Sequence, residues 1–461
     1  MVSARADVAV IGGGIAGLCA ARALHEQGLS FVLVEAAPRW GGLIRTERAD
    51  GFLLEAGPDT ILATKPDGLR LCLELGLGGR VVPTDPWRST VFVLRRGRLH
   101  PLPAGMALGV PTGIGPLLRS GLFTWRGKIR MALEPFVPAR REAGDESIAS
   151  FVRRRLGREA VEIIGQPLLA GIHAGDAERL SLGATFPRLR EIEARSGSLV
   201  RGLRAARRSA KPGAPAGFVS LAGGLAELVD ALVAALPGEA LRKGAAARAV
   251  RREGGGFTVQ ADGGAVSTRA VVVALPPRSA APLVEALAPD AGRMLAAVRF
   301  ASTATVLLGY RREAVAHPLE GHGLLVPRGE GLRTTAVTFS STKLPGRAPD
   351  GHVLLRAFLG GVHDPDVLAL DDAGLAAAAE REMRPLLGIS REPVVRGVYR
   401  WLEATPQMDV GHLERVAAID ASLEAATGLF VTGAGLRATG IPDVVADATR
   451  TAAAVGRRLR S

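Results

Sequence analysis

The chain has 461 residues, with 58 basic and 45 acidic side chains and a formal net charge of +13. Apolar residues make up 47% and charged residues 22%, which is typical of a globular protein of about two to four domains. These values exclude a small disulfide-stapled scaffold and a disordered chain, and dispersed arginines with only 2 Tyr and 4 Trp argue against a nucleic-acid partner.

The first 35 residues have the pattern of one βαβ unit. Residues 7–11 predict a strand, residues 15–26 a helix and residues 31–34 a second strand. The turn between the first strand and the helix satisfies G-x-G-x-x-G and consists of Gly12, Gly13, Gly14, Ile15, Ala16 and Gly17.

Each glycine of this turn has a structural reason. Gly12 allows the tight turn, Gly14 the close approach of a pyrophosphate, and Gly17 the packing of helix on strand. Glu35 ends the second strand, where a carboxylate can bind ribose hydroxyls, and the helix N-terminus can hold phosphate. The unit therefore predicts a dinucleotide-binding site.

The next part of the chain predicts a different module. Residues 58–77 indicate an amphipathic helix, and residues 81–98 indicate strands with a turn at 96–97. Residues 99–118 lack formal charge but contain four prolines, so we expect no membrane-spanning helix. Residues 119–141 mix apolar and basic side chains, which suits a helix lying on a membrane or a core-facing helix equally.

The remaining elements predict a mixed α/β fold that returns to its first domain. Helices are predicted at 147–155, 160–169 and 225–235, with a linker at 209–217, a hairpin around 254–256 and a strand at 270–275. Strands at 303–310, 323–326, 334–339 and 352–359 precede a helix at 371–387. A strand at 429–432, a glycine turn at 433–440 and a helix at 444–459 end the chain.

The second glycine segment indicates which dinucleotide binds. Arg39 is followed by Trp40, Gly41 and Gly42. The two glycines would let a second stretch of backbone approach the same pyrophosphate, and Arg39 would add a positive charge there. This arrangement resembles the FAD-binding amine-oxidase and phytoene-desaturase superfamily, which favours FAD over NAD. The glycine turn at 433–440 could bring helix amides to the same cofactor, or it could be a helix cap alone.

Other features of the sequence limit the redox chemistry. No second strand-glycine turn-helix unit is present for NAD(P)H, so O2 or a quinone is the expected electron acceptor. No cysteine lies near the C-terminal glycine turn, so we expect non-covalent FAD. Cys19 and Cys72 supply neither a disulfide framework nor a zinc site, and no metal is expected. Without a secretory signal pattern, a cytoplasmic location is expected.

Several short motifs narrow the resemblance to one family. They are GF at 51–52, EAGPD at 55–59, GIHAGD at 171–176, LS at 180–181, ATFP at 184–187, PQ at 406–407 and GHL at 411–413. Together they resemble the porphyrinogen oxidases of haem synthesis over nearly the whole chain. Residues 105–123 followed by GDES at 144–147 are most similar to the Gram-positive-type enzymes, which tend to oxidise coproporphyrinogen III rather than protoporphyrinogen IX.

This resemblance implies a Rossmann-like FAD domain, a mixed-sheet substrate domain and a helical membrane-facing domain. Their boundaries are 1–62, 213–275 and 400–461 for FAD, 63–87 and 276–399 for substrate, and 88–212 for the helical part. It also implies a homodimer, peripheral contact with the inner face of a membrane, and hand-over of product to a ferrochelatase.

Carried over by position, the resemblance implies specific contact residues. Those for FAD are Gly12, Gly13, Gly14, Ile15, Ala16, Gly17, Glu35, Arg39, Gly42, Leu43, Gly57, Pro58, Asp59, Thr60, Ala247, Trp401, Thr439, Gly440 and Ile441. Those for the substrate are Lys65, Arg88, Gly171, His173 and Gly175. The chain departs from the family pattern at His173 and Met408, where Tyr is common, and at Val91, where plant and animal members have Arg.

The implied reaction removes six electrons from a porphyrinogen in three repeated steps. In each step flavin N5 accepts a hydride from a methylene bridge and a neighbouring N–H loses its proton, and O2 is finally reduced to H2O2. Because the cofactor carries this chemistry, no protein group is expected to be catalytic. The alternatives are an amine oxidase or carotenoid desaturase of the same superfamily, and a flavin-binding or membrane-surface protein without catalysis.

Overall fold

The computed structural model describes residues 4–107, 109–140, 142, 144–209, 217–437 and 439–460. The predicted linker at 209–217 lies almost wholly outside the described residues. The described part is a mixed α/β structure built on two seven-stranded sheets, which confirms the predicted fold class.

The first sheet is organised around the N-terminal βαβ unit. Its strand Ala4–Ile11 pairs in parallel with Phe31–Glu35 on one side and with Gly264–Val273 on the other. The other strands of this sheet are Leu241–Lys243, Ala247–Glu253, Gly256–Ala261 and Leu429–Val431.

The register of the first sheet brings the two glycine turns together. Ile11 lies opposite Val273, and Val273 lies opposite Val431, with all three strands parallel. Parallel strands end at the same edge of a sheet, so the glycine turns that follow Ile11 and Val431 leave from the same edge.

Helices cover both faces of the first sheet because its central strands are apolar on both sides. Val8 and Val10 pack toward one face, and Ala9 and Ile11 toward the other. The helices on the first face are Ile15–Glu26, Pro66–Glu74, Ala226–Ala234 and Ile441–Arg460. Those on the second face are Pro277–Glu285, Pro289–Ala296 and His412–Ala425.

The second sheet is largely antiparallel. In spatial order its strands are Val395–Gln407, Arg299–Arg311, His352–Gly360, Thr334–Phe339, Gly323–Leu325, Val91–Arg95 and Arg98–Pro101. Side chains alternate between its faces. Val306 and Leu308 pack with Leu355 under helix Asp372–Leu387, whereas Thr305 and Arg356 point to the opposite face.

A third, mainly helical region packs against the second sheet. Its helices are Ile114–Arg119, Trp125–Ala132, Ile148–Leu156, Arg158–Ala160, Gln166–His173, Leu182–Thr185, Pro187–Ser196 and Leu199–Arg208, with a wider π-type turn at Val161–Gly165. Val93, Leu325 and Ala336 of the sheet belong to the same apolar cluster as these helices. None of the helices in the described residues has the length and apolar character that a bilayer crossing requires.

Short elements complete the structure. The strands are Thr46–Ala49 with Phe52–Glu55, Ile61–Leu62 with Phe218–Leu221 and Val81–Pro83, and Met106–Ala107 with Val110–Pro111. Helix Ser340–Lys343 follows the strand Thr334–Phe339, and short 3-10 turns occur at Gly78–Arg80, Glu134–Phe136, Gly238–Ala240, Arg312–Ala314, Arg328–Glu330 and Pro365–Ala369.

The structure differs from the sequence expectations in specific places. The helix predicted at 58–77 is limited to Pro66–Glu74, since Pro66 begins it and Ile61–Leu62 is a strand. Strand Val395–Gln407 was not anticipated, because its charged residues interrupt the apolar alternation. This strand runs across the predicted domain boundary at residue 400, and the hairpin Val91–Pro101 joins the second sheet although it was assigned to the helical region. The three-domain division itself stays a prediction.

Candidate functional site

The first glycine turn requires glycine for steric reasons. Gly12 has a φ of +108°, and a Cβ there would lie 2.6 Å from the carbonyl oxygen of Ala274. A Cβ on Gly17 would overlap the carbonyl oxygen of Gly12. The structure therefore supports the predicted roles of a tight turn and of close helix packing.

The Glu35 carboxylate is fixed at the same turn. Its Oε2 accepts a hydrogen bond from the Gly13 amide at 2.5 Å, and its Oε1 accepts one from the Ala37 amide at 2.7 Å. Amides of residues 244 and 245 donate to the carbonyls of Ala37 and Glu35 at 3.0 and 2.8 Å. These hydrogen bonds hold residues 244–245, which precede Ala247, beside Glu35. The adenosine of the cofactor is predicted to lie on this side of the glycine turn.

The backbones of Gly14 and Gly42 approach each other closely and carry no side chains at this point. A Cβ on Gly14 would lie 3.9 Å from the Gly42 Cα, and one on Gly42 would lie 3.2 Å from the Gly14 Cα. Arg39 fixes this second loop by donating to the carbonyls of Trp40 at 3.3 Å, Ile44 at 3.1 Å and Gly42. This bare backbone surface beside a helix N-terminus suits the close approach of the pyrophosphate of a dinucleotide.

The C-terminal helix begins at this edge of the sheet. Helix Ile441–Arg460 follows Thr439 and Gly440, and the Gly440 carbonyl accepts from the Val444 amide at 3.0 Å. It packs along the first helix, where the Gln27 side chain donates to the Ala452 carbonyl at 3.2 Å. Its unpaired N-terminal amides carry a partial positive charge that can meet an extended cofactor.

A cavity of about 560 Å³ lies between the loop at residues 56–60 and the second sheet. Its walls include six residues predicted to contact FAD, which are Leu43, Gly57, Pro58, Asp59, Thr60 and Trp401. The Trp401 indole donates to the Ala56 carbonyl at 3.0 Å, which fixes the ring. Gly171 and neighbouring apolar residues of helix Gln166–His173 form the opposite wall. One space thus joins the predicted cofactor residues to a predicted substrate residue.

The charged side chains in the cavity wall form one cluster. Lys343 Nζ lies 2.8 Å from Asp59 Oδ2, and Arg356 Nη1 lies 3.8 Å from the same oxygen. Burial alone would raise the pKa of Asp59, but Lys343 and Arg356 outweigh it and hold that pKa well below its usual range. The cluster therefore carries two positive charges and one negative charge.

The other residues predicted to bind substrate lie outside the cavity wall. Lys65 Nζ pairs with Asp443 Oδ2 at 2.5 Å, and Arg88 is exposed, 3.9 Å from Asp85. Gly175 is packed between Leu180 and Gln407. Their contact with substrate stays a prediction.

His173 is a buried packing residue in this structure. Burial lowers its pKa to about 4, and the nearby charge of Lys65 acts in the same direction. Its ring packs edge-on against Phe186 at 5.8 Å between centroids, while its carbonyl accepts from the Gln407 amide at 2.9 Å. The neutral imidazole shapes the helix end that carries Gly171.

Sequence reasoning missed Lys343 and Arg356. No motif surrounds either residue, and Asp59 lies 284 residues before Lys343. One signal was visible: Arg356 is the charged residue in the otherwise apolar strand His352–Gly360. A charge inside a buried strand requires a partner or a ligand.

Known proteins resemble this chain over nearly its whole length. The family model described as flavin containing amine oxidoreductase matches residues 15–456. A Bacillus subtilis (strain 168) protein named coproporphyrinogen III oxidase is 34% identical and covers 96% of this chain and 97% of its own. A Nicotiana tabacum protein named protoporphyrinogen oxidase, chloroplastic, is 31% identical over 94% of this chain and 82% of its own.

Solved structures match the fold over the same extent. A structure from Exiguobacterium sp. 255-15 has a TM-score of 0.88, 30% identity and complete coverage of both chains. A putrescine oxidase structure has a TM-score of 0.73 at 20% identity, again over both complete chains, which establishes a shared fold.

Proposed function

Because the chain belongs to the flavin-containing amine oxidoreductase family, we propose that it oxidises a porphyrinogen to a porphyrin in haem synthesis, with O2 as acceptor and H2O2 as by-product. FAD is the cofactor. Coproporphyrinogen III is the preferred substrate over protoporphyrinogen IX. The relatives with 34% and 35% identity that carry the name coproporphyrinogen III oxidase support this preference.

The cavity is the observation that carries the proposal. It is mainly apolar, its volume falls within the range of about 300–1,000 Å³ usual for small-molecule sites, and its charged cluster is net positive. Such a cavity suits a large apolar macrocycle with carboxylate substituents. An amine substrate would bring an ammonium group toward two cations, which is unfavourable.

The residues of this chain bind and orient the reactants. FAD supplies the hydride-accepting group. Gly14, Gly42 and the helix N-termini would hold the dinucleotide, and Glu35, positioned by the Gly13 amide, would bind its ribose. Residues 57–60 and Trp401, which line the cavity, would contact the flavin part of the cofactor. The apolar walls exclude water and fix the macrocycle for repeated hydride removal.

Anaerobic bleaching of the flavin absorbance tests this function. Purified holoenzyme is mixed with coproporphyrinogen III or protoporphyrinogen IX in a stopped-flow instrument. We expect both to bleach the flavin, coproporphyrinogen III faster, with the matching porphyrin fluorescence appearing in step. Faster bleaching by protoporphyrinogen IX would reverse the substrate preference. No bleaching by either would overturn the proposal, and bleaching by an amine or a carotenoid precursor would assign the alternative.

A face of the helical region supports contact with a membrane surface. Trp125, Ile129, Leu133 and Phe136 follow one another at helical spacing and are exposed, Phe136 by 77%. Ile114 and Leu118 of a neighbouring short helix are also exposed. We name these six residues the apolar face, and we propose that it lies on the inner face of the cytoplasmic membrane.

Co-sedimentation with vesicles tests the apolar face. Trp125→Asp with Phe136→Asp should weaken binding to anionic vesicles by about 100-fold or more, because burial of each large side chain is worth about 1.5–3 kcal/mol. The matched control is Leu73→Asp, since Leu73 is 56% exposed on the helix Pro66–Glu74. Equal binding of all three proteins would remove this proposal without affecting the oxidase.

The homodimer and the transfer of product to a ferrochelatase complete the proposal. Sedimentation equilibrium should give twice the chain mass of 47.9 kDa, and a monomer would contradict the dimer.

Transfer requires that ferrochelatase accept porphyrin faster from this protein than from free solution. Equal rates would contradict it.

A further inference from the structure

The charged cluster in the cavity wall contains two cations but only one carboxylate. Asp59 Oδ2 receives Lys343 at 2.8 Å and faces Arg356 at 3.8 Å, and its Oδ1 accepts from the Thr60 hydroxyl at 3.0 Å. One carboxylate thus faces two cations. A net positive charge at a buried wall is costly unless an anion joins it.

Both cations have N–H groups without a hydrogen-bond acceptor among the described residues. Arg356 is 5% exposed and donates through Nη2 to the Ala56 and Gly57 carbonyls, but its buried Nε has no partner. Lys343 Nζ makes one hydrogen bond, to Asp59, although an ammonium has three N–H groups. The Lys343 ammonium lies in the cavity wall with N–H groups to spare and is therefore suited to a ligand oxygen, whereas the Arg356 Nε has no exposed surface and Arg356 contributes its positive charge.

Aromatic rings confine the two cations. The Phe358 ring lies 4.7 Å from the Arg356 guanidinium carbon, and the Phe218 ring lies 5.8 Å from Lys343 Nζ. Both rings line the cavity. They limit water around the charges and strengthen their attraction for an anion.

We propose that Lys343 and Arg356 form a subsite that binds one carboxylate of the substrate, with Asp59 as the positioning residue. The inference rests on the proposed oxidase function and deepens it. It assigns carboxylate recognition to these two cavity residues rather than to Lys65 and Arg88, which pair elsewhere. The subsite favours substrates with carboxylate substituents over their neutral analogues.

Binding of the oxidised product form tests the subsite without turnover. The dissociation constants of coproporphyrin III and of its tetramethyl ester are measured by fluorescence on the FAD-loaded protein. Lys343→Met should weaken coproporphyrin III binding by about 10- to 100-fold, the loss of a hydrogen bond to a charged group, and should leave the ester unchanged. Lys343→Arg should restore most of the affinity. Arg248→Met, which removes an exposed cation paired with Asp262, is the control.

The results distinguish failure of the carboxylate subsite from failure of the oxidase function. If Lys343→Met weakens acid and ester equally, or neither, the subsite is refuted even where the wild-type flavin is bleached by a porphyrinogen. If acid binding is unchanged and the flavin midpoint potential falls instead, the cluster serves the reduced flavin, which also refutes the subsite. Failure of wild-type bleaching refutes the oxidase function, whereas the affinity ratio of acid to ester still reports on the subsite.

Discussion

Gly14→Val should yield folded protein without bound flavin. Gly14 has an extended backbone, φ −73° and ψ −178°, which any residue adopts, and a Cβ there meets only the Gly42 Cα at 3.9 Å. The fold therefore tolerates valine, but its methyl groups would cover the bare backbone beside the helix N-terminus. Because the close backbone contacts to the pyrophosphate would be lost, we expect the FAD dissociation constant to rise by about 100-fold or more.

Flavin absorbance after gel filtration and circular dichroism measure this result. The control is Gly79→Val, because Gly79 lies on the surface and a Cβ there would have no heavy atom within 4 Å. That variant should retain FAD. Retention of stoichiometric FAD by Gly14→Val would show that the cofactor does not approach the Gly14 backbone closely.

Of the substitutions named here, Glu134→Gln should lower the free energy of unfolding most. Glu134 and Arg155 are both fully buried and form an ion pair. Glu134 also accepts from the amides of Leu199 and Val200, at 2.8 and 3.2 Å, and from the Ser198 hydroxyl at 2.6 Å, so it caps the helix Leu199–Arg208. Removing one partner of a buried pair costs about 3–5 kcal/mol.

Urea unfolding measures the free energy of this change. The control is Glu142→Gln, since Glu142 is 84% exposed and lies 3.6 Å from Arg140. An exposed pair contributes about 0–1 kcal/mol. If both variants lose the same small amount, the buried network does not hold the helical region together.

The same carboxyl predicts a direction for acid sensitivity. Burial would raise the pKa of Glu134, but hydrogen bonds from Ser198, Arg155 and Leu199 outweigh burial and leave it below its ordinary value. Its contribution is therefore present above the unfolded pKa and is lost as the pH falls through the folded pKa. The stability gap between wild type and Glu134→Gln should narrow as the solution is acidified.

Local patterns were sufficient to predict the first βαβ unit and its glycine turn. The helix Ile15–Glu26 has the predicted bounds, and the turn that precedes it has the predicted steric roles. Strands such as Thr334–Phe339 also match their prediction. These features depend on consecutive residues, whose spacing fixes both backbone conformation and the face that is buried.

The charged cluster in the cavity wall could not be predicted in this way. Lys343 and Arg356 reach Asp59 only because the second sheet packs against the loop that follows Phe52–Glu55. Lys65 and Arg88 were closer in sequence to the recognised motifs, yet the fold pairs them with Asp443 and Asp85. Sequence proximity does not determine which cation faces a cavity.

By itself, then, the sequence determined the α/β class, the first βαβ unit and its glycine turn, since each is encoded within a short run of residues. The tertiary structure decided which charges share the cavity, how the apolar face is exposed and where Glu134 caps a distant helix. The physical reason is separation along the chain, since 284 residues separate Asp59 from Lys343. Contacts at such separations follow from sheet register and from the packing of whole layers.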